Sequence, residues 1–242
     1  PVSGGKDSHF QVIKAQEYGL KILAVCAVTD NLSKLGRKNL NNIANLCDLL
    51  EVSVDKQIRN KICKYAMEEV GDLSWPEHIT IFTVPIRVAM NLSIPLVIWG
   101  ENPQNIYGGP QEAQSARNLT ERWLSEFGGL NGLRVSDLIE QNILPEDKSY
   151  FYKYPKSSNL KNPSGIFLGQ FFPWSGYNNA IIARDNGFTW SKKPVEGIGF
   201  NYENLDNLQT GARDWLRYIK YGYGRAIDLC STAIREKRMT RE

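Results

Sequence analysis

The chain is poor in the residues that build metal centres and disulfide frameworks. Its 242 residues include two histidines and four cysteines. Cys26, Cys47, Cys63 and Cys230 lie far apart and form no Cys-x-x-Cys pair. That spacing excludes the common structural zinc patterns and a small disulfide-stapled domain. The four are expected as buried free thiols in a reducing cytoplasm. Long hydrophobic runs are missing too. The best, Ile94 to Trp99, is of strand length and contains a proline, whereas a membrane span needs ~18 or more apolar residues. No charged-then-apolar leader opens the sequence, so the expectation is a cytoplasmic protein without a membrane span.

Bias in charge is equally slight. Lys and Arg number 29 against 26 Asp and Glu, for a net charge of +3. Eight basic and four acidic residues fall between Thr210 and Glu242, and the rest is nearly neutral at 21 against 22. A broad nucleic-acid surface is therefore not expected. The apolar share of 42% and charged share of 23% are those of a globular chain. The length suits one large domain or a domain with an appendage.

What is present begins with an alternation of elements. An apolar helical pattern over Phe10 to Ala15 ends at Gly19. Lys21 to Val28 is then a nearly continuous apolar run, as in a strand buried on both faces of a parallel sheet. Leu40, Ile43, Ala44, Cys47 and Leu50 share a helical stripe, and Val52 to Val54 reads as a short strand. Ile58, Ile62 and Tyr65 predict a helix closed by Gly71. Asp72 to His78 reads as a loop, and a further helix carries Phe82, Ile86 and Met90, kinked or started at Pro85. Leu96 to Trp99 is a second apolar strand. This βαβα order predicts an α/β fold with a doubly wound parallel sheet. After Gly100 the chain turns loop-rich, with a short helix over Leu138 to Leu144 and a strand at Ile166 to Leu168. Two amphipathic helices, Leu205 to Lys220 and Gly224 to Lys237, follow.

Chemistry concentrates in Ser3-Gly4-Gly5-Lys6-Asp7-Ser8. The glycines let backbone N–H groups converge, and a following helix adds its positive end. Lys6 supplies a point charge, and Ser3 and Ser8 supply hydroxyls. Such a nest suits a diphosphate or triphosphate, with Asp7 placed to hold Mg²⁺ against it. It is neither a Walker A loop nor Gly-x-Gly-x-x-Gly. The plainer reading is a turn capped by Asp7 or Ser8.

This string resembles the pyrophosphate loop of the N-type ATP pyrophosphatases, whose fold is the Rossmann-like adenine nucleotide alpha hydrolase type. Trp99-Gly100-Glu101-Asn102-Pro103, Tyr107-Gly108-Gly109, Leu168-Gly169-Gln170, Pro173-Trp174, Lys220 to Asp228 and Ile234 to Glu242 resemble the N-acetyl sugar amidotransferases of that superfamily. The resemblance implies ATP-dependent conversion of an N-acetyl group on a bacterial surface-glycan amino sugar, in lipopolysaccharide O antigen or flagellar glycans, to an acetamidino group. It implies an O-adenylyl imidate, release of AMP and pyrophosphate, and ATP with Mg²⁺ as cofactors. It also implies ammonia from separate glutaminase and ammonia-channel barrel subunits. Residues 1–109 would form the pyrophosphate-loop domain and 110–242 a substrate- and partner-binding region. A strand is expected upstream of Pro1, in a longer protein.

Other candidates are weighed on their positions. Glu101 follows the apolar strand, where ligands bind in parallel sheets, and can hold Mg²⁺, orient ammonia, take its proton or cap a turn. Asn102 and Tyr107 would contact sugar hydroxyls or shape the loop. Lys220 and Arg225 flank the Tyr221-Gly222-Tyr223-Gly224 hinge, as anion binders or as helix-end charges. His78 either faces the site or is structural. Tyr150 to Tyr154, Trp174 and Trp190 would stack a sugar or pack a core. A tRNA thiolase, a lysidine synthase and a non-catalytic adenine-nucleotide-binding protein are the alternatives.

Overall fold

The computed structural model describes residues 1–29, 31–104, 109–115, 119–155 and 163–242. The fold is mixed α/β with parallel strand pairing. β1 (Leu23–Ala27) pairs with β2 (Asp48–Val52), Leu23 opposite Asp48 and Ala27 opposite Val52. β3 (Leu96–Trp99) pairs with β4 (Ser164–Phe167). Among the described residues these make two separate two-stranded sheets rather than one continuous sheet. β1 and β3 face each other across an apolar cavity of about 560 Å³ lined by both strands and by Pro1 and Val2. Val2 N–H already donates to the Val25 carbonyl at 2.9 Å. The Gln11 amide donates to the Ile98 carbonyl on the other side.

Local sequence explains most element ends. α1 (Lys6–Glu17) leaves the glycine loop directly, and α2 (Lys34–Leu46) starts at Ser33, whose hydroxyl accepts from Gly36 N–H. α2 is shorter than its stripe implies. Leu40 and Ile43 are buried, but Cys47 turns extended and Leu50 belongs to β2. The strand therefore begins before Val52, because pairing with β1 outweighs the helical spacing. β2 is largely exposed and carries Asp48 and Glu51, charges that suit a sheet edge. α3 (Lys56–Val70) is capped by Asp55 and closed by Gly71 at φ +63°.

α4 (Trp75–Asn91) absorbs half of the expected loop. Pro76 sits in its first turn, where a missing N–H costs nothing. The helix also passes through Pro85. The ring leaves the Ile81 carbonyl without its usual donor, and Trp99 Nε1 fills that role at 3.2 Å.

The main core joins Ile58 and Ile62 of α3, Trp75 and Phe82 of α4, Trp99 and Phe167. A smaller core packs α1 and α2 on β1. Beyond β3 come α5 (Gln111–Gln114), α6 (Glu121–Phe127) and α7 (Val135–Glu140), the last earlier than its pattern predicts. α8 (Gly176–Asp185), which the pattern did not announce, packs along α1. α9 (Thr210–Tyr221) and α10 (Arg225–Arg235) form a hairpin around Gly222, at φ +76°. Its apolar stripe stays largely open: Trp215 is 62% and Ile219 60% exposed. The four cysteines form no disulfide among the described residues, and of the four only Cys26 is buried. No described helix is long and apolar enough to cross a membrane.

Candidate functional site

The loop ahead of α1 is shaped by two glycines with different duties. Gly4 has φ +86°, and a Cβ there would lie 2.8 Å from the Leu40 backbone. Gly5 is the helix N-cap at φ −70° and offers no side-chain cap. The first-turn amides of α1 therefore lack an intrahelical acceptor. Ser3 N–H donates to Ser8 Oγ at 2.9 Å, and Gly5 N–H to Ser3 Oγ at 3.3 Å. Behind the loop, His9 Nδ1 is 3.0 Å from the Gly5 carbonyl and its Nε2 is 3.1 Å from Asn42 Nδ2. Nδ1 is thus the donor and the ring neutral, in keeping with a pKa lowered by burial.

The loop opens into a cavity of about 390 Å³ at the carboxyl ends of β1 and β3, where ligands bind in parallel α/β folds. Ser3, Asp7, Ser8 and Glu101 line it, as do Glu77 and His78 of α4 and Arg213 of α9. Its rim is a seam between distant segments. Ser33 N–H donates to the Asp206 carbonyl and Leu208 N–H to the Asn31 carbonyl, both at 2.8 Å. Thr29 Oγ1, Glu77 Oε2 and Gln209 Oε1 are buried on this wall without a hydrogen-bond partner among the described residues. An unpartnered buried polar atom costs ~1–3 kcal/mol, so these three oxygens, with His78 Nδ1 on the same wall, mark a place for a polar ligand.

Charge is arranged around Lys6. Its ammonium lies 2.6 Å from Asp7 Oδ2 and 3.0 Å from Glu203 Oε1. Burial opposes its charge, but the two carboxylates outweigh burial and hold its pKa above the ordinary value. Asp7 Oδ1 accepts from Asn179 Nδ2 at 2.8 Å, which ties the loop to α8. Glu101 keeps solvent access at the cavity mouth. Even so, desolvation by surrounding protein, then the charges of Asp7 and Glu203, push its pKa up to about 7. Lys6 and a hydrogen bond from Trp174 act in the other direction. Trp174 is itself fixed edge-on to Phe10, ring centroids 5.3 Å apart.

The structure thus brings Ser3, Asp7, Ser8 and Glu101 to one cavity, with Gly4 and Gly5 shaping its floor. Lys6 is turned toward Glu203 and Gly176 rather than forming the cavity wall. Asn102 is 2% exposed, donates to the Ala113 and Gln114 carbonyls and accepts from Gln104 N–H, so it shapes a loop. Tyr107 lies outside the described residues. Lys220 reaches the Val70 carbonyl at the end of α3, and Arg225 holds Asp214 across the hairpin at 3.2 Å; neither lines the cavity. Trp190 packs in a small core with Tyr202, and Tyr152 in the main one. Glu203, Asn179, Thr29 and Gln209 were not foreseen, and their surrounding sequence carries no motif.

Among the described residues no three His, Cys, Asp or Glu side chains cluster as a metal cage. Asp7 is the candidate for Mg²⁺, but its Oδ2 already meets Lys6 and its Oδ1 accepts from Asn179, so it would hold an ion only through a remaining lone pair, with waters and phosphates completing the shell. No protein-family model matches the chain, and no curated protein matches it.

The two glycines make a paired prediction. Gly4→Ala should lose nucleotide binding and about 1–3 kcal/mol of stability, from its left-handed φ and the Leu40 clash. Gly5→Ala meets only Ser3 Oγ, at 3.4 Å, and should fold like the parent. Urea unfolding and calorimetry with ATP distinguish the two. Equal effects would mean that the loop conformation is not what Gly4 protects.

Proposed function

We propose that the chain is an ATP-dependent amidotransferase that adenylates the N-acetyl oxygen of an amino sugar and lets ammonia displace AMP. One observation carries this reading. The uncapped, glycine-shaped start of α1 opens into the same cavity as Glu101 and three unpartnered buried oxygens. Helix-start amides suit the leaving pyrophosphate, where negative charge develops.

The charges around the loop define how a polyphosphate could enter. Lys6 is already matched by Asp7 and Glu203, and Glu101 adds a third carboxylate. A bare triphosphate would be repelled, so the reading requires Mg²⁺ at Asp7, supplying charge neutralisation there. Within the chain, the loop amides would orient the phosphates, and Glu101 would orient the amine. Ammonia would come from glutaminase and channel subunits, as the resemblance implies.

Burial, followed by the charge of Glu51, pushes the Cys26 thiol on the cavity wall up to about 12. Such a thiol is a poor nucleophile, which favours amidation over thiolation. The same reading takes the two strand pairs as halves of one doubly wound sheet. Its support is the apolar groove between β1 and β3, which a further parallel strand would fill.

The test is incubation with ATP, Mg²⁺, ammonium and a panel of N-acetylated amino sugars. AMP, pyrophosphate and an amidine detected by mass spectrometry, all dependent on the sugar, are expected. ATP cleavage to ADP, or none with any sugar, would overturn the proposal.

A further inference from the structure

We infer that His78, held by Asp72, takes the proton from the attacking nitrogen in this cavity. The inference rests on the adenylation reading above and adds a residue to it.

His78 stands in the first turn of α4 and lines the cavity beside Glu77. Its Nδ1 lies 2.9 Å from Asp72 Oδ2. Asp72 is 5% exposed, and its Oδ1 accepts from Ser74 N–H at 2.9 Å. The carboxylate is therefore anchored by the Ser74 backbone, with Oδ2 beside the imidazole but outside hydrogen-bond alignment with it. Burial acts against its charge, but His78, Ser74 N–H and Lys220 more than offset this and lower its pKa. A carboxylate 2.9 Å from Nδ1 favours a proton on that nitrogen and leaves Nε2 as the basic one. The imidazole side chain is 28% exposed, enough to exchange protons with a bound molecule.

The neighbouring charges leave this role to His78. Glu77 is engaged through Oε1 by the buried guanidinium of Arg59. Glu101 stands at the loop end, among Asp7, Lys6 and Glu203. Arg213 lines the same cavity as a permanent cation and has no lone pair to take a proton. That leaves the imidazole, with Asp72 beside its Nδ1, as the cavity group placed to receive a proton.

The step balances. The ammonia nitrogen bonds to the imidate carbon, and the carbon–oxygen bond to AMP breaks with its electron pair leaving on the phosphate oxygen. The proton shed by the attacking nitrogen passes to His78 Nε2 and on to the sugar-side nitrogen. The product leaves as an amidinium, and the histidine is neutral again.

The experiment separates the two half-reactions in His78→Gln and His78→Ala, using single-turnover pyrophosphate release and amidine formation. Pyrophosphate release should stay within a few-fold of the parent, while amidine formation falls about 10²–10⁴-fold. Added imidazole should restore part of the His78→Ala rate, and Asp72→Asn should fall less and shift the pH profile. Unchanged amidine formation, or equal loss of both half-reactions in a folded variant without imidazole rescue, would overturn the inference. If the unsubstituted chain releases no pyrophosphate with any sugar, the adenylation reading fails first and this inference with it.

Discussion

Lys6→Ala is expected to abolish ATP-dependent turnover and also to lower stability by ~3–5 kcal/mol. Two arguments converge on this residue. In the proposed reaction, a fixed cation beside the loop would act where charge builds on departing pyrophosphate, so its loss would fall on the transition state. In the fold, its side chain is 10% exposed and that of Glu203 only 9%. Truncation strands the Glu203 carboxylate in a site that cannot solvate it. Adding Glu203→Gln should recover much of the stability and none of the turnover. Urea unfolding of both single variants and the double variant gives the coupling energy, and pyrophosphate release gives the activity. A stable Lys6→Ala protein would show that the ion pair does not hold the loop on its neighbour. Persistent turnover would remove Lys6 from the chemistry.

Glu101→Gln should leave ATP affinity nearly unchanged and cut amidine formation at least 10²-fold. It should also alter the pH dependence of stability. The folded pKa of Glu101 is raised from an ordinary 4.5 to about 7. Between those values the folded state binds the proton more tightly than the unfolded chain does. Stability from this group is fully present below about pH 4.5 and is lost as pH rises through about 7. The glutamine variant cannot ionise there, so it should match the parent at low pH and unfold at higher temperature than the parent at pH 8. Calorimetric titration with ATP and thermal unfolding across pH check both halves. Lost ATP binding with normal chemistry per complex would contradict the assignment, and so would an unchanged pH slope.

The glycine turn that starts α1 and the strand β3 were legible because their signals are local. Ser3 to Ser8 is a contiguous string, and Leu96 to Trp99 is a bounded apolar run that forms β3. The α2–β2 boundary was not legible, since a helical stripe continues through Cys47 to Leu50 while strand pairing decides the matter. α4 was under-read because its prolines look like breakers. One occupies the first turn, and the other has its orphaned carbonyl served by Trp99 from another element. Lys220 and Arg225 resembled anion binders by charge and position, yet both stand away from the cavity, Lys220 near the Val70 carbonyl and Arg225 on Asp214. Glu203 could not be seen at all. Its meaning comes from Lys6, brought near by the packing of α8 on α1.

The seam at the cavity rim has a consequence in time. Ser33 and Leu205 are 172 positions apart, as are Asp7 and Asn179. At ~5–20 residues per second, a ribosome that has made the loop needs roughly 10–30 s to deliver the partners that finish it. Closing so long a loop costs only slightly more entropy than closing a shorter one, because the cost grows as the logarithm of length. The penalty is delay. Through that interval the nascent chain carries an open phosphate loop, a Lys6 without Glu203, and the face of α1 that α8 later covers. That uncovered face is where a chaperone would engage the growing chain, and the cavity beside the loop is walled in only after the second half has arrived.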